Sequence, residues 1–133
     1  MKLDYSALEK AAASLERGVE RASSAPGDEE LRDAVIQRFE YTYELCWKML
    51  KRRIEADAAT PSAVDGYSFR DLLREGAERG LIKNVEDWFG YREQRNITSH
   101  TYDEKKAASV YQTALQFLPD AKALLTELKE RNV

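Results

Sequence analysis

Apolar residues recur at steps of three and four along most of this chain, and each such stripe marks one face of a helix. Leu8, Ala12, Leu15, Val19 and Ala22 line up on a first helix ending near Ser23, where Ser23-Ser24-Ala25-Pro26-Gly27 breaks it. A second helix opens near Asp28 and carries Leu31, Val35, Phe39, Tyr43, Cys46, Leu50 and Ile54 on one side, until Thr60-Pro61 stops it. Ser68-Phe69-Arg70-Asp71 has the pattern of a capping box and predicts a short helix that Gly80 terminates. Asn84 is placed to cap the next helix, which begins with Val85, Trp88 and Phe89 and runs toward His100. Thr101-Tyr102-Asp103-Glu104 reads as a second capping box. Beyond it Ala107, Val110, Ala114, Phe117, Ala121, Leu124 and Leu128 form a long stripe, with a kink expected at Pro119. No alternating strand pattern, internal repeat or low-complexity linker interrupts this order. The expected fold is all-α: an up-and-down four-helix bundle with one short extra helix, forming one domain over residues 1–133.

Composition agrees with that picture and narrows the chemistry. The chain is 34% charged and 43% hydrophobic with 6 Gly and 3 Pro, which suits helices with one wet face better than sheets or disorder. A length of 133 residues allows a real core without disulfides or metal staples. The net charge of -3 gives no general attraction to nucleic acid or anionic membranes, so any phosphate binding must come from a local cluster. Cys46 is the sole cysteine, so no disulfide or cysteine-rich zinc site forms within the chain, and a reducing, cytoplasmic setting is expected. The chain turns charged at once with Lys2 and Asp4, and no run approaches the roughly 18 apolar residues of a membrane span. Neither secretion nor membrane insertion is expected.

Candidate chemistry gathers where the fourth long helix hands over to the last. His100 is the only histidine, and so the only side chain whose unperturbed pKa suits proton transfer near neutral pH. Arg95 precedes it by five residues, which on a straight helix puts the two about 140° apart. They meet only where the helix ends or across a subunit interface. The capping box at Thr101 ends the helix beside His100 and sets the Tyr102 hydroxyl on the first turn of the next helix. Trp88, Arg92, Arg95 and Ser99 share one face by spacing, so two guanidinium groups stand beside an aromatic ring and a hydroxyl, fit to hold a phosphate. A neutral imidazole near such a site can take a proton from a ribose 2′-hydroxyl, and RNA cleavage by that route requires no metal or cofactor. The pair alone is weak, because a helix-end histidine commonly serves the C-terminal dipole and an arginine commonly belongs to a solvated face.

The longer string Arg95-Asn96-Ile97-Thr98-Ser99-His100-Thr101-Tyr102-Asp103 is more specific, and it resembles the motif of the HEPN superfamily. The tyrosine two places after the histidine is similar to toxin members that pair with a minimal nucleotidyltransferase. Ile36 through Lys48 looks like the second helix of the nucleotidyltransferase substrate-binding proteins within that superfamily, and Phe69 through Ile82 like their short helix. The resemblance implies a homodimeric bundle whose two motifs face one another near the dimer interface. It implies that Arg95 and His100 cleave RNA without metal, that Asn96 orients the site, and that the partner silences the toxin by attaching AMP to Tyr102. Such an AMP adds charge and bulk beside the arginines and blocks RNA without unfolding anything.

Glu40, Glu44 and Lys48, at four-residue spacing, read first as an ordinary solvated charge ladder. Acids on the corresponding helix of HEPN ribonucleases suggest the alternative that one of them pairs with Arg95 and fixes its direction. Trp47 and Trp88 are expected as core or interface anchors. The older name of the family keeps a second function open: a non-catalytic subunit that presents a substrate or nucleotide to the partner enzyme. A purely structural dimerising bundle requires only the apolar stripes.

Overall fold

The computed structural model describes residues 2–132, and their backbone is helical apart from short connections. The elements are α1 (Ser6–Ser24), α2 (Glu29–Asp57), α3 (Phe69–Glu78), α4 (Val85–Ile97) and α5 (Glu104–Glu130), with tight 3-10 turns at Pro61–Gly66 and Thr98–His100. No strand occurs among the described residues.

The helix starts follow from side-chain oxygens that satisfy orphan backbone donors. The Asp28 carboxylate accepts from Leu31 N at 3.1 Å and opens α2. Ser68 and Asp71 complete the expected capping box, each side chain bonded at 3.1 Å to the other's backbone N–H. Gly80 ends this short helix with φ +75°, a conformation that favours glycine, and a Cβ there would also press on the Arg131 guanidinium at 3.2 Å. Two expectations fail. Asn84 occupies the position before α4 but makes no side-chain cap bond. Thr101 does not cap α5: the cap is Asp103, whose carboxylate accepts from Lys105 N and Lys106 N. Pro119 lies inside α5, which continues through it.

Four helices make the bundle, and polar pairs along them give their directions. Glu9–Lys129 and Glu16–Lys122 run α1 and α5 antiparallel, while Ser14 against Tyr41 and Gly18 against Val35 do the same for α1 and α2. Tyr91 reaching Asp120 and Gln94 reaching Ser109 make α4 and α5 antiparallel. Arg32–Glu104 at one end and Arg53–Asn132 at the other make α2 and α5 parallel, so they form the close diagonal of an up-and-down bundle. The short α3 packs against α4 and α2.

The predicted α5 stripe is buried throughout, as is the α1 stripe apart from half-buried Val19. At the middle Phe117 of α5, fully buried, meets Phe39 at 5.1 Å and Tyr43 at 6.1 Å from α2, and Trp88 at 5.7 Å and Tyr91 at 5.1 Å from α4. Most of these contacts are edge-on, the arrangement that ring quadrupoles favour. Burial beside this cluster pushes the Cys46 thiol well above its usual range, so it packs as a small apolar group. No helix among the described residues is long and apolar enough to cross a membrane.

Phe117→Ala should therefore cost about 3–5 kcal/mol of folding stability in urea denaturation, since it empties the centre of the cluster. A loss under about 1 kcal/mol would mean that the neighbouring rings close the gap on their own.

Candidate active site

With the ring of Trp88 drawn into the Phe117 cluster, α4 is rolled so that Arg92, Arg95 and Asn96 line a polar pocket against α2. The pocket encloses about 410 Å³ and is completed by Glu44 and Trp47 of α2 and Phe69 of α3. That volume falls within the range of small-ligand sites, roughly 300–1,000 Å³. The spacing argument put Trp88 and Ser99 beside the arginines. Trp88 is instead a core residue, Ser99 is exposed in the 3-10 turn, and the aromatic groups at the arginines are Trp47 and Phe69.

Each arginine is held by a different partner. Arg95 forms an ion pair with Glu44, so the charge-ladder reading of Glu44 gives way to the pairing that the resemblance suggested. The two side chains are 34% and 50% exposed, and a pair so open to solvent contributes at most about 1 kcal/mol to stability. Its effect is to aim the guanidinium. The Arg92 guanidinium carbon sits over the Phe69 ring, 4.4 Å from its centroid. Beneath it the buried Tyr43 hydroxyl has no hydrogen-bond partner of normal geometry. Burial pushes that phenol up to about 12, with the nearby Arg92 charge pulling the other way. The half-buried Trp47 offers an indole N–H that is likewise unpartnered. Donors without acceptors and guanidinium groups with spare N–H edges suit an anionic or oxygen-rich ligand.

The turn after α4 carries the imidazole. Thr98 Oγ1 donates to the Arg95 carbonyl at 2.8 Å, Thr101 Oγ1 donates to the Thr98 carbonyl at 3.1 Å, and Asp103 N donates to the His100 carbonyl at 3.2 Å. This ladder spends the Thr101 hydroxyl backward along the chain and leaves the cap to Asp103. Tyr102 accordingly stands in the connection before α5 and not on its first turn, with 83% of its surface exposed. The His100 ring is exposed too, edge-on to Tyr102 at 6.2 Å between centroids.

Among the described residues no hydrogen bond or ion pair joins Arg95 to His100. Two α-helical steps and three of the tighter 3-10 kind leave them about 160° apart around the axis, farther than a straight helix would. His100 is absent from the lining of the arginine pocket. The chain thus carries two polar groupings around one helix end: arginines, Asn96 and Glu44 in a pocket, and an exposed imidazole–phenol pair. Among the described residues no cluster of His, Cys, Asp and Glu has the arrangement to hold a metal ion. Sequence reasoning missed Trp47 and Phe69. Trp47 was findable, because it stands three residues after Glu44 and off the Tyr43-Cys46-Leu50 stripe.

Known proteins resemble this arrangement over almost its whole length. Residues 3–130 match the family described as nucleotidyltransferase substrate binding protein like. A Haemophilus influenzae protein described as a probable ribonuclease HepT is 40% identical over 139 residues, spanning 98% of this chain and 95% of its own. A solved Haemophilus influenzae structure, described as the fold of a substrate binding domain of a nucleotidyltransferase, superposes with a TM-score of 0.89 at 39% identity, covering 95% of this chain and 99% of that one. A Thermus thermophilus structure gives a TM-score of 0.76 at 30% identity, over 91% of this chain and 98% of that one.

Asp103→Ala should cost about 1 kcal/mol in urea denaturation, since it frees two N–H groups at the start of α5, and Asp103→Ser should recover most of it. A larger loss from Thr101→Ala than from Asp103→Ala would return the cap to Thr101.

Proposed function

Because the chain belongs to the nucleotidyltransferase substrate binding protein like family, we propose that it is a metal-independent endoribonuclease of the HEPN type, working as a homodimer. The observation that supports this reading is the pairing of an arginine held by Glu44 in a pocket with the chain's one imidazole, exposed just past the same helix end and outside that pocket's lining. A second copy related by a two-fold axis near that helix end supplies its imidazole to each pocket.

In the composite site the arginines bind the phosphate that is to be cut. Neutral His100 takes the proton from the ribose 2′-hydroxyl, whose oxygen attacks the adjacent phosphorus. Arg95 and Arg92 stabilise the negative charge that builds on the phosphoryl oxygens. The P–O bond to the 5′ oxygen breaks, and that oxygen receives the proton back from the His100 imidazolium. The products are a 2′,3′-cyclic phosphate and a 5′-hydroxyl. Asn96, on the pocket wall, is suited to orient the phosphate by hydrogen bonding.

Tyr102 belongs to the regulation of this activity. A phenol so exposed beside His100 can reach the active site of a second enzyme, here a minimal nucleotidyltransferase acting as antitoxin. The phenolic oxygen attacks the α-phosphorus of ATP, pyrophosphate leaves, and the new phosphodiester brings a negative charge and an adenosine beside the imidazole. RNA is then repelled and excluded.

The description of the Haemophilus structure as a substrate binding domain favours a second reading, in which this pocket presents a nucleotide to a nucleotidyltransferase and cuts nothing. One experiment separates them: purified protein is incubated with RNA and a chelator. Cleavage should persist with chelator and fall about a hundredfold or more in His100→Ala and in Arg95→Ala, whose thermal melts should match the parent. Cleavage lost on chelation, or undiminished in both variants, contradicts the mechanism. No cleavage at any concentration, with a stable nucleotidyltransferase complex, favours the presenting subunit.

A further inference from the structure

Beyond the pocket, α3 and α4 carry an alternating row of guanidinium groups and rings. Arg74 lies over the Phe89 ring at 5.6 Å and Arg70 over the same ring at 4.5 Å. Arg70 also approaches Phe69 at 5.7 Å, and Arg92 covers Phe69 at 4.4 Å. The order is therefore Arg74, Phe89, Arg70, Phe69, Arg92, with the Phe89 ring buried beneath its two arginines, and the last two members are walls of the arginine pocket. The row leads out of the candidate site along one flank of the molecule.

From this we propose that Arg70 and Arg74 form a phosphate-binding track that holds single-stranded RNA beyond the bond cut in the pocket. The assignment rests on the ribonuclease reading and names residues that reading does not use. Stacking on a ring fixes a guanidinium group in one plane and leaves its N–H edge directed outward, which lowers the ordering cost when a phosphate arrives. Arg70, Arg74 and Arg92 have no carboxylate within ion-pair distance among the described residues, the one pair at this site being Arg95 with Glu44. Of the three acids of α3, Asp71 is engaged in the capping box and Glu75 with Arg79 at 2.8 Å, while exposed Glu78 lies outside ion-pair distance of Arg74. In a chain of net charge -3 this row is a local reversal of sign.

The geometry favours a single strand. Arg70 and Arg74 are separated by one helical turn, a rise of about 6 Å, comparable to the separation of successive phosphates in a relaxed strand. A guanidinium group also offers a planar face on which an unpaired base stacks. A duplex would bury its base faces and gain nothing from them. Lys at these positions would keep the charge and lose the planar stack.

The test compares the double variant Arg70→Ala/Arg74→Ala with a control, Arg17→Ala/Arg21→Ala, which removes two exposed arginines at the same spacing from α1. KM and kcat are measured on a dinucleotide and on a longer oligoribonucleotide over a range of salt. Binding of the longer RNA is measured in a His100→Ala background. On the longer RNA the Arg70/Arg74 variant should raise KM and Kd about tenfold, with a smaller change in kcat. Its salt slope should fall by about two, one for each phosphate contact removed. The control should leave Kd and salt slope at parental values. Arg70→Lys/Arg74→Lys should keep the salt slope and lose part of the affinity, which guards against an unfolded alanine variant.

If the parent cleaves RNA but the double variant keeps its affinity and salt slope, the track is wrong and the ribonuclease reading stands. If the parent neither binds nor cuts RNA, the ribonuclease reading fails and the track fails with it. If the double variant loses the nucleotidyltransferase partner in place of RNA, the row is a protein-docking surface and the RNA assignment is overturned.

Discussion

The burial of Phe117 between α2 and α4 is the constraint on which the rest of the molecule depends. Four rings from two helices close around one ring of a third, and only one roll of α4 satisfies all of these contacts. That roll takes Trp88 inward, and one turn later it carries Arg92 and Arg95 to the rim of the core, against Glu44 and Trp47. The site is thus a by-product of packing before it is a chemical arrangement. Interiors packed to this density resist displacement, so side chains at the rim inherit fixed positions.

On that scaffold the polar groups act by direction and contribute little to stability. The Arg95–Glu44 pair is too open to solvent to add much to folding, yet it selects one guanidinium orientation among many. The threonine ladder through Thr98 and Thr101 does the same for the backbone that carries His100. A rigid core with an inexpensive, solvent-facing site allows a reactive surface to be covered, modified or exposed without altering the fold. Tyr102 stands where a modification would act in this way: its phenol is exposed, close to the imidazole, and outside the helices it connects.

Much of the architecture was legible in the chain itself. The stripes of α1, α2 and α5 read correctly because burial on a helix follows spacing. Asp28 and Ser68 read correctly because each offers the only well-placed oxygen at its helix start. Thr101 misled because two oxygens compete there, and the hydroxyl found a carbonyl acceptor in a 3-10 turn that periodicity does not announce. Trp88 misled for a different reason: it shares a sequence face with Arg92 and Arg95, and only contacts with other helices decide that it turns inward. Glu44 had a regular partner at Lys48 by spacing and took a distant one in α4. The angle between His100 and Arg95 was anticipated for a straight helix, and the 3-10 turn Thr98–His100 widens it.

The most direct measurement of that composite site is a mixed dimer, made by co-expressing an Arg95→Ala chain and a His100→Ala chain with different tags and isolating the species that carries both. Each parent homodimer lacks one essential group in every site, whereas the mixed species should regain one intact site and cut RNA at about half the unmodified rate. A mixed dimer as inactive as its parents would contradict the account.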